Sequence, residues 1–188
     1  MSELFSIQLQ NRQQQGRDGV WLDLPTTTEQ VQAALRQIGI SSDNPQGLFI
    51  SGYFAEEEKR FAIPYNMVLA SNVDELNFLA ARLETLSAGE RAELNAALQA
   101  PQSELSSIGR ITDFPENVEY YVYLPDVRGP AQLGDYYLNR SGMVNMPDEW
   151  KGGIDTAQFG RYVAQQEQGA FTQYGYLVKS GDEWQKVH

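Results

Sequence analysis

"GVWLDLPTTTEQVQAALRQIGI", Gly19 to Ile40, decides how the chain is read. It opens as a short apolar strand that Pro25 ends. "TTTE" then offers a capping box, with Thr26 as the helix N-cap and Glu29 three residues on able to bond back. Val31, Leu35 and Ile38 recur at helical spacing, which calls for one buried face, and Gly39 stands where a helix-terminating glycine is expected. The stretch is strand, stop, helix, stop. It contains no nucleophile, metal ligand set or phosphate loop.

Outward from it, Leu4 to Leu9 alternates with Phe5, Ile7 and Leu9 on one side, the period of a half-buried strand that "GVWLDL" would pair. A third strand is expected at Leu48–Tyr53, followed by an acidic turn, "AEEEK". Two helices come next. Ser71 with Asp74 caps the first and Ser87 with Glu90 the second; Leu76, Leu79, Ala80 and Leu83 form one apolar stripe, and Leu94, Ala97 and Leu98 another. So short a connection implies that they lie antiparallel. Beyond Pro101, "VEYYVYL" (Val118–Leu124) is β-rich, "IDTAQFGRYVAQQ" is a helix capped by Asp155 with Phe159 and Val163 inward, and the tail is a hairpin turning at Ser180-Gly181-Asp182. The expected fold is an α+β chain with antiparallel strands in three small units: a strand-rich unit with one helix (1–66), a helical pair (67–101) and a mixed α/β unit (102–188).

The 188 residues carry 14 Lys and Arg against 25 Asp and Glu, a formal charge of -11. The excess is even along the chain, with seven basic residues against thirteen acidic in 1–100 and seven against twelve in 101–188. Such a surface repels nucleic acid and anionic membranes and attracts basic partners. The ten Tyr, eight Phe and three Trp argue for a packed core, since disordered acidic chains are poor in aromatics. With no Cys there is no disulfide, thiolate or Cys-type zinc chemistry. The N-terminus lacks the basic start and apolar core of a secretion signal, and no apolar run reaches the ~20 residues of a membrane span. A cytoplasmic location is expected.

Catalytic chemistry finds little to stand on. The sole His is His188, so a Ser or Thr nucleophile has no evident base. "GLFISG" lacks the spacing and Lys of a phosphate cradle, and Glu56–Glu58 lacks the alternating ligands of a Ca²⁺ loop. The neighbouring pairs Asp113 with Glu116, Asp148 with Glu149 and Asp182 with Glu183 supply carboxylates, but nothing marks one member for a raised pKa. No enzyme, cofactor or metal is expected. Tyr beside carboxylates, in "EYYVY", "DYY" and "TQYGY", suits sheet faces or interfaces.

Three blocks, "WLDLPTTTEQVQAALRQIG", "DELNFLAARLETLS" and "GDYYLNRSGMVNMPDEWKGGIDTAQFGRYVAQQEQGAFTQYGYLV", resemble in order and spacing the ArdA antirestriction proteins, carried by plasmids, conjugative transposons and phages. The resemblance implies a non-enzymatic DNA mimic: an elongated acidic protomer that dimerises and occupies the DNA-binding groove of Type I restriction-modification enzymes. The family's most characteristic stretch falls on Asp135 to Arg161, where Leu138, Pro147, Asp155, Phe159, Gly160 and Arg161 match its pattern. "GGIDTAQ" at Gly152–Gln158 departs from the family's usual "YFDYEA". A rival expectation is an interaction or regulatory protein that keeps the scaffold but binds another basic partner.

Phosphate imitation needs exposed acids away from cations. Asp113, Glu116, Glu119, Asp126 and Asp135 follow one another with only Arg128 among them, and Asp148, Glu149 and Asp155 extend the series past Lys151. These eight are the expected partner-binding carboxylates. The density of Tyr and Trp from Tyr120 to Trp184 points to a homodimer formed through the C-terminal unit.

Overall fold

The computed structural model describes residues 3–14, 18–41, 45–101 and 103–187, so His188 lies outside them. In chain order the elements are β1 (Phe5–Asn11), β2 (Val20–Leu24), α1 (Thr28–Gln37), β3 (Leu48–Phe54), α2 (Tyr65–Leu69), α3 (Val73–Glu84), α4 (Ala88–Gln99), α5 (Ile108–Thr112), β4 (Tyr121–Leu124), α6 (Pro130–Asp135), α7 (Asp148–Lys151), α8 (Thr156–Glu167), β5 (Ala170–Phe171) and β6 (Tyr176–Lys179). Among the described residues every strand pairing is antiparallel, in two three-stranded sheets ordered β2-β1-β3 and β4-β6-β5, and the fold is α+β. The residues gather into two compact units, one running to Ser87 and adding Leu105–Pro115, the other made of Ala88–Glu104 and Glu116–Val187. Helix α3 belongs to the first of these and α4 to the second.

In the first unit the alternation of β1 does what its period requires. Phe5, Ile7 and Leu9 are buried, opposite Leu24 and Leu22 on β2 and Ile50 on β3. A register shift at Gln8/Leu9 leaves Ser51 as the extra residue of a bulge in β3, so the bend falls on β3 where it pairs with β1. Leu76, Leu79, Ala80 and Leu83 of α3 are completely buried, and Ile108 and Ile111 of α5 lie in the same unit's core. Helix α1 stops as its glycine implies. Gly39 takes φ +70°, its N–H donates to Arg36 O (3.1 Å), and Ile40 N–H donates to Leu35 O (2.9 Å), the two bonds of a Schellman ending.

Two caps sit one residue later than expected, each because the earlier residue is engaged elsewhere. Thr27, not Thr26, caps α1, with Gln30 rather than Glu29 returning the bond. The backbone of Thr26 exchanges two bonds with the Asn77 side chain on α3, at 2.7 and 3.0 Å. Asn72, not Ser71, caps α3 by accepting from Glu75 N–H at 2.9 Å, while Ser71 Oγ donates back to Met67 O.

The second unit is built on the crossing of α6 and α8. Gly134 and Gly160 meet the opposite backbone so closely that a Cβ on Gly134 would lie 1.9 Å from Thr156 O, and one on Gly160 would lie 1.8 Å from Pro130 O. The inward face of α8 is therefore Gly160 and Ala164, with Phe159 and Val163, the expected anchors, half-exposed beside it. α6 runs on into one wide π turn, Tyr136–Arg140, closed by Ser141 N–H to Tyr136 O. Val127, Leu133, Ala164 and Tyr176 form the centre of the core. At its edge the carboxylate of Glu167 accepts from both Tyr137 and Tyr176, and burial, reinforced by those bonds, pushes both phenols above their ordinary range. The expected hairpin lies elsewhere: β5 turns into β6 through Thr172–Gly175, where Thr172 Oγ1 caps the turn. β6 then pairs with β4. Ser180–Asp182 follows the end of β6, and no strand follows it among the described residues.

A methyl group at Gly160 cannot be absorbed by a flexible neighbour, because the atoms it meets are backbone. Gly160→Ala is expected to lower stability by about 3 kcal/mol in urea unfolding, while Gly152→Ala, at a helical position whose nearest neighbour is 3.9 Å away, should be neutral or stabilising by less than about 1 kcal/mol. Glu93 on α4 supplies a pH test. Burial, then the charge of Glu90, raises its carboxyl to about 7. A folded state that holds this proton more tightly than the unfolded chain loses stability as pH rises from the unfolded value toward 7 and levels off above it. Melting temperature should fall across that window, and Glu93→Gln should flatten the fall.

Candidate partner-binding surface

The eight expected carboxylates do not share one environment. Asp113, the C-cap of α5, is 2% exposed and belongs to the first unit, so it cannot present a charge to a partner. Its neighbours Ile111, Thr112 and Phe114 are buried with it, where the sequence expectation had an exposed acid. The other seven lie in the second unit. Glu116 and Glu119 are exposed on two short 3₁₀ turns, Asp126 is exposed after β4, and Glu149 is exposed on α7. Asp135 pairs with Arg140 at 3.5 Å and accepts from Asn139 Nδ2 at 2.8 Å; Asp148 pairs with Lys151 at 3.0 Å. Asp155 caps α8, accepting from Gln158 N–H at 2.9 Å. Its position next to Thr156, which touches Gly134, ties it to the helix crossing.

Of the eight, Glu116 and Glu119 line one cleft, and the structure adds two acids to them. A cleft of about 650 Å³ is lined by Glu116–Tyr120 on one side and Asp182–Gln185 on the other. Four acidic and two aromatic residues line it, and among the described residues its lining includes no Lys or Arg. Tyr120 and Trp184 meet edge to face at 5.2 Å. The walls are held by backbone pairing through one side chain. Asn117, 4% exposed, donates Nδ2 to Gln185 O at 2.9 Å and accepts from Gln185 N–H at 2.7 Å. Ser180 N–H and Oγ both donate to Tyr120 O, and Ser180 Oγ also accepts from Asp182 N–H. Just outside, Lys179 is held by Glu104 at 2.5 Å, which raises its pKa.

Sequence reasoning paired Asp182 with Glu183 but did not place them beside Glu116 and Glu119. The available signal was a repeated pattern, acids beside an aromatic in "ENVEY" and "DEW"; the fold that joins the two is a pairing across 68 residues. The same unit leaves large apolar side chains in solvent, with Met143 74% and Trp150 69% exposed and Tyr162 also exposed. Among the described residues no group of three or more His, Cys, Asp or Glu is placed to hold a metal ion, and no helix is long and apolar enough to cross a membrane.

Asn117 is the test of this construction. Asn117→Ala removes both partly buried bonds to Gln185 and is expected to cost about 1–2 kcal/mol. Hydrogen exchange at the Gln185 amide should accelerate in the variant more than exchange in the first unit.

No curated protein matches the chain. A family model described as "Antirestriction protein (ArdA)" matches residues 15–178, which takes in β2 and β3 of the first sheet, the α6–α8 crossing and most of the second sheet. The chain belongs to the ArdA antirestriction protein family.

Proposed function

We propose that the protein performs the antirestriction function that membership of its family supports, acting in the cytoplasm as an acidic DNA mimic that occupies the DNA-binding groove of a Type I restriction-modification enzyme without catalysing a reaction. The observation that carries this reading is the exposure of Glu116, Glu119, Asp126 and Glu149 on one unit, in a chain of formal charge -11. A groove that binds duplex is lined with cations spaced for phosphates, one charge per ~1.7 Å of axis, and an acidic surface competes for those cations. The protein acts as a homodimer joined through its C-terminal unit; the exposed Met143, Trp150 and Tyr162 supply the apolar area that such contacts use.

A second reading has an observation of its own. The ion pairs of Asp135 with Arg140 and Asp148 with Lys151 cancel two of the candidate charges. They suit a protein that keeps the scaffold to bind a different basic partner.

Competition separates the two. A mimic displaces duplex DNA from a Type I enzyme, and its inhibition weakens as salt rises; failure to displace DNA from any such enzyme favours the second reading. Replacing Asp126, Asp148 and Glu149 together by Asn, Asn and Gln, all outside the cleft, should weaken inhibition about tenfold at physiological salt, because exposed charges contribute at most about 1 kcal/mol each. Each single substitution should change it less than about threefold, since a field is a sum. Sedimentation at micromolar concentration should show a dimer.

A further inference from the structure

We infer that the cleft between Glu116–Tyr120 and Asp182–Gln185 is a receptor for one arginine side chain presented by the basic partner. The inference rests on the partner reading above and adds to it a single defined contact. Three features of the cleft point to this ligand together, and the acids alone do not.

The first is chemical. Glu116, Glu119, Asp182 and Glu183 come from two separate segments and line one space whose lining, among the described residues, includes no Lys or Arg. The second is the aromatic content of the same walls. Tyr120 and Trp184 make the cleft a place where a cation meets both carboxylate oxygens and ring surface. A guanidinium matches that combination better than an ammonium: it is planar, stacks on rings, bonds carboxylates through two parallel N–H groups and is more weakly hydrated. The third is construction. A space of about 650 Å³ exceeds what one side chain fills and is open to solvent, so the ligand arrives on a larger surface. The clamp of Asn117 on Gln185 and the bonds of Ser180 to Tyr120 fix both walls before it arrives. Preorganised walls lose little entropy when the side chain enters.

A pocket contact behaves differently from a field. Diffuse attraction fades as the screening length falls to ~3 Å at 1 M salt, whereas a guanidinium seated against carboxylates and rings keeps part of its binding energy. The cleft thus gives an otherwise sequence-tolerant acidic surface one point of register on its partner.

The test uses the intact protein and no restriction enzyme, so its outcome is independent of whether the protein displaces DNA. N-acetyl-arginine methylamide is titrated in at constant ionic strength while the Trp184 indole N–H resonance is followed by NMR, that resonance being assigned by its loss in Trp184→Phe. Parallel titrations use N-acetyl-lysine methylamide, spermidine and sodium chloride. The expected result is a saturable shift of Trp184 with the arginine probe, with dissociation constants on the order of millimolar for so small a ligand. Lysine should bind more weakly and sodium chloride should leave Trp184 unmoved. Binding should weaken about fivefold or more in Asp182→Asn with Glu183→Gln, two exposed positions whose replacement should leave the amide spectrum dispersed. A Trp184 resonance that ignores the arginine probe, or moves equally with sodium chloride or lysine, overturns the inference. So does a double variant that binds like the parent. Tighter binding of spermidine than of arginine overturns it in favour of a free polyamine.

Discussion

Two glycines carry the second unit. Where Gly134 of α6 meets Thr156, and Gly160 of α8 meets Pro130, the helices touch backbone to backbone with no side chain between. Everything downstream takes its position from that contact. Ala164, one turn past Gly160, joins the core with Leu133 and Tyr176; Glu167 arrives where two tyrosines can donate to it; β5 leaves α8 at the height that lets β6 lie between β5 and β4. The glycines also explain why α8 turns Phe159 only partly inward. With no Cβ at position 160, the tightest packing is made by the smallest residue, and the aromatic beside it seals the edge.

This is where local pattern reading reaches its limit. Period-two alternation in β1, the glycine ending of α1 and the cap at Asp155 were all legible, because each is decided by residues within one turn or one strand. The caps of α1 and α3 slipped by one residue because Thr26 and Ser71 were drawn to Asn77 and Met67, partners that capping rules do not weigh. Asp113 looked like a surface acid because charge is the strongest single cue to exposure, yet the helix it ends is buried along Ile108, Ile111 and Thr112, and Phe114 follows it into the core. The cleft was invisible for a plainer reason: its walls are far apart in sequence and meet through the side chain of Asn117, a residue with no local signature.

The distribution of the acids changes what the net charge means. Of the eight candidate carboxylates, one is buried, two are paired with cations and one is committed to a helix end. The charge that a partner meets is carried by fewer groups than the formal count suggests, and two of those exposed acids stand at the cleft with Asp182 and Glu183. An acidic surface organised this way combines a broad attraction with one local feature able to discriminate among cations. Attraction sets the rate of encounter, and the local feature sets how long the encounter lasts.

The sheet order β4-β6-β5 has a consequence for biogenesis. The strand between the other two is the last to be synthesised, and α4, which packs against it, is made long before. The first unit has every part it needs once the ribosome has passed Pro115, but the second must hold α4 and β4 in waiting until β6 emerges. Closing so wide a loop is entropically slow, and during that interval the edge of β4 and the apolar side of α4 lack the strand they pack against. The order in which the chain leaves the ribosome therefore makes the acidic, aromatic-rich unit the later of the two to complete its core.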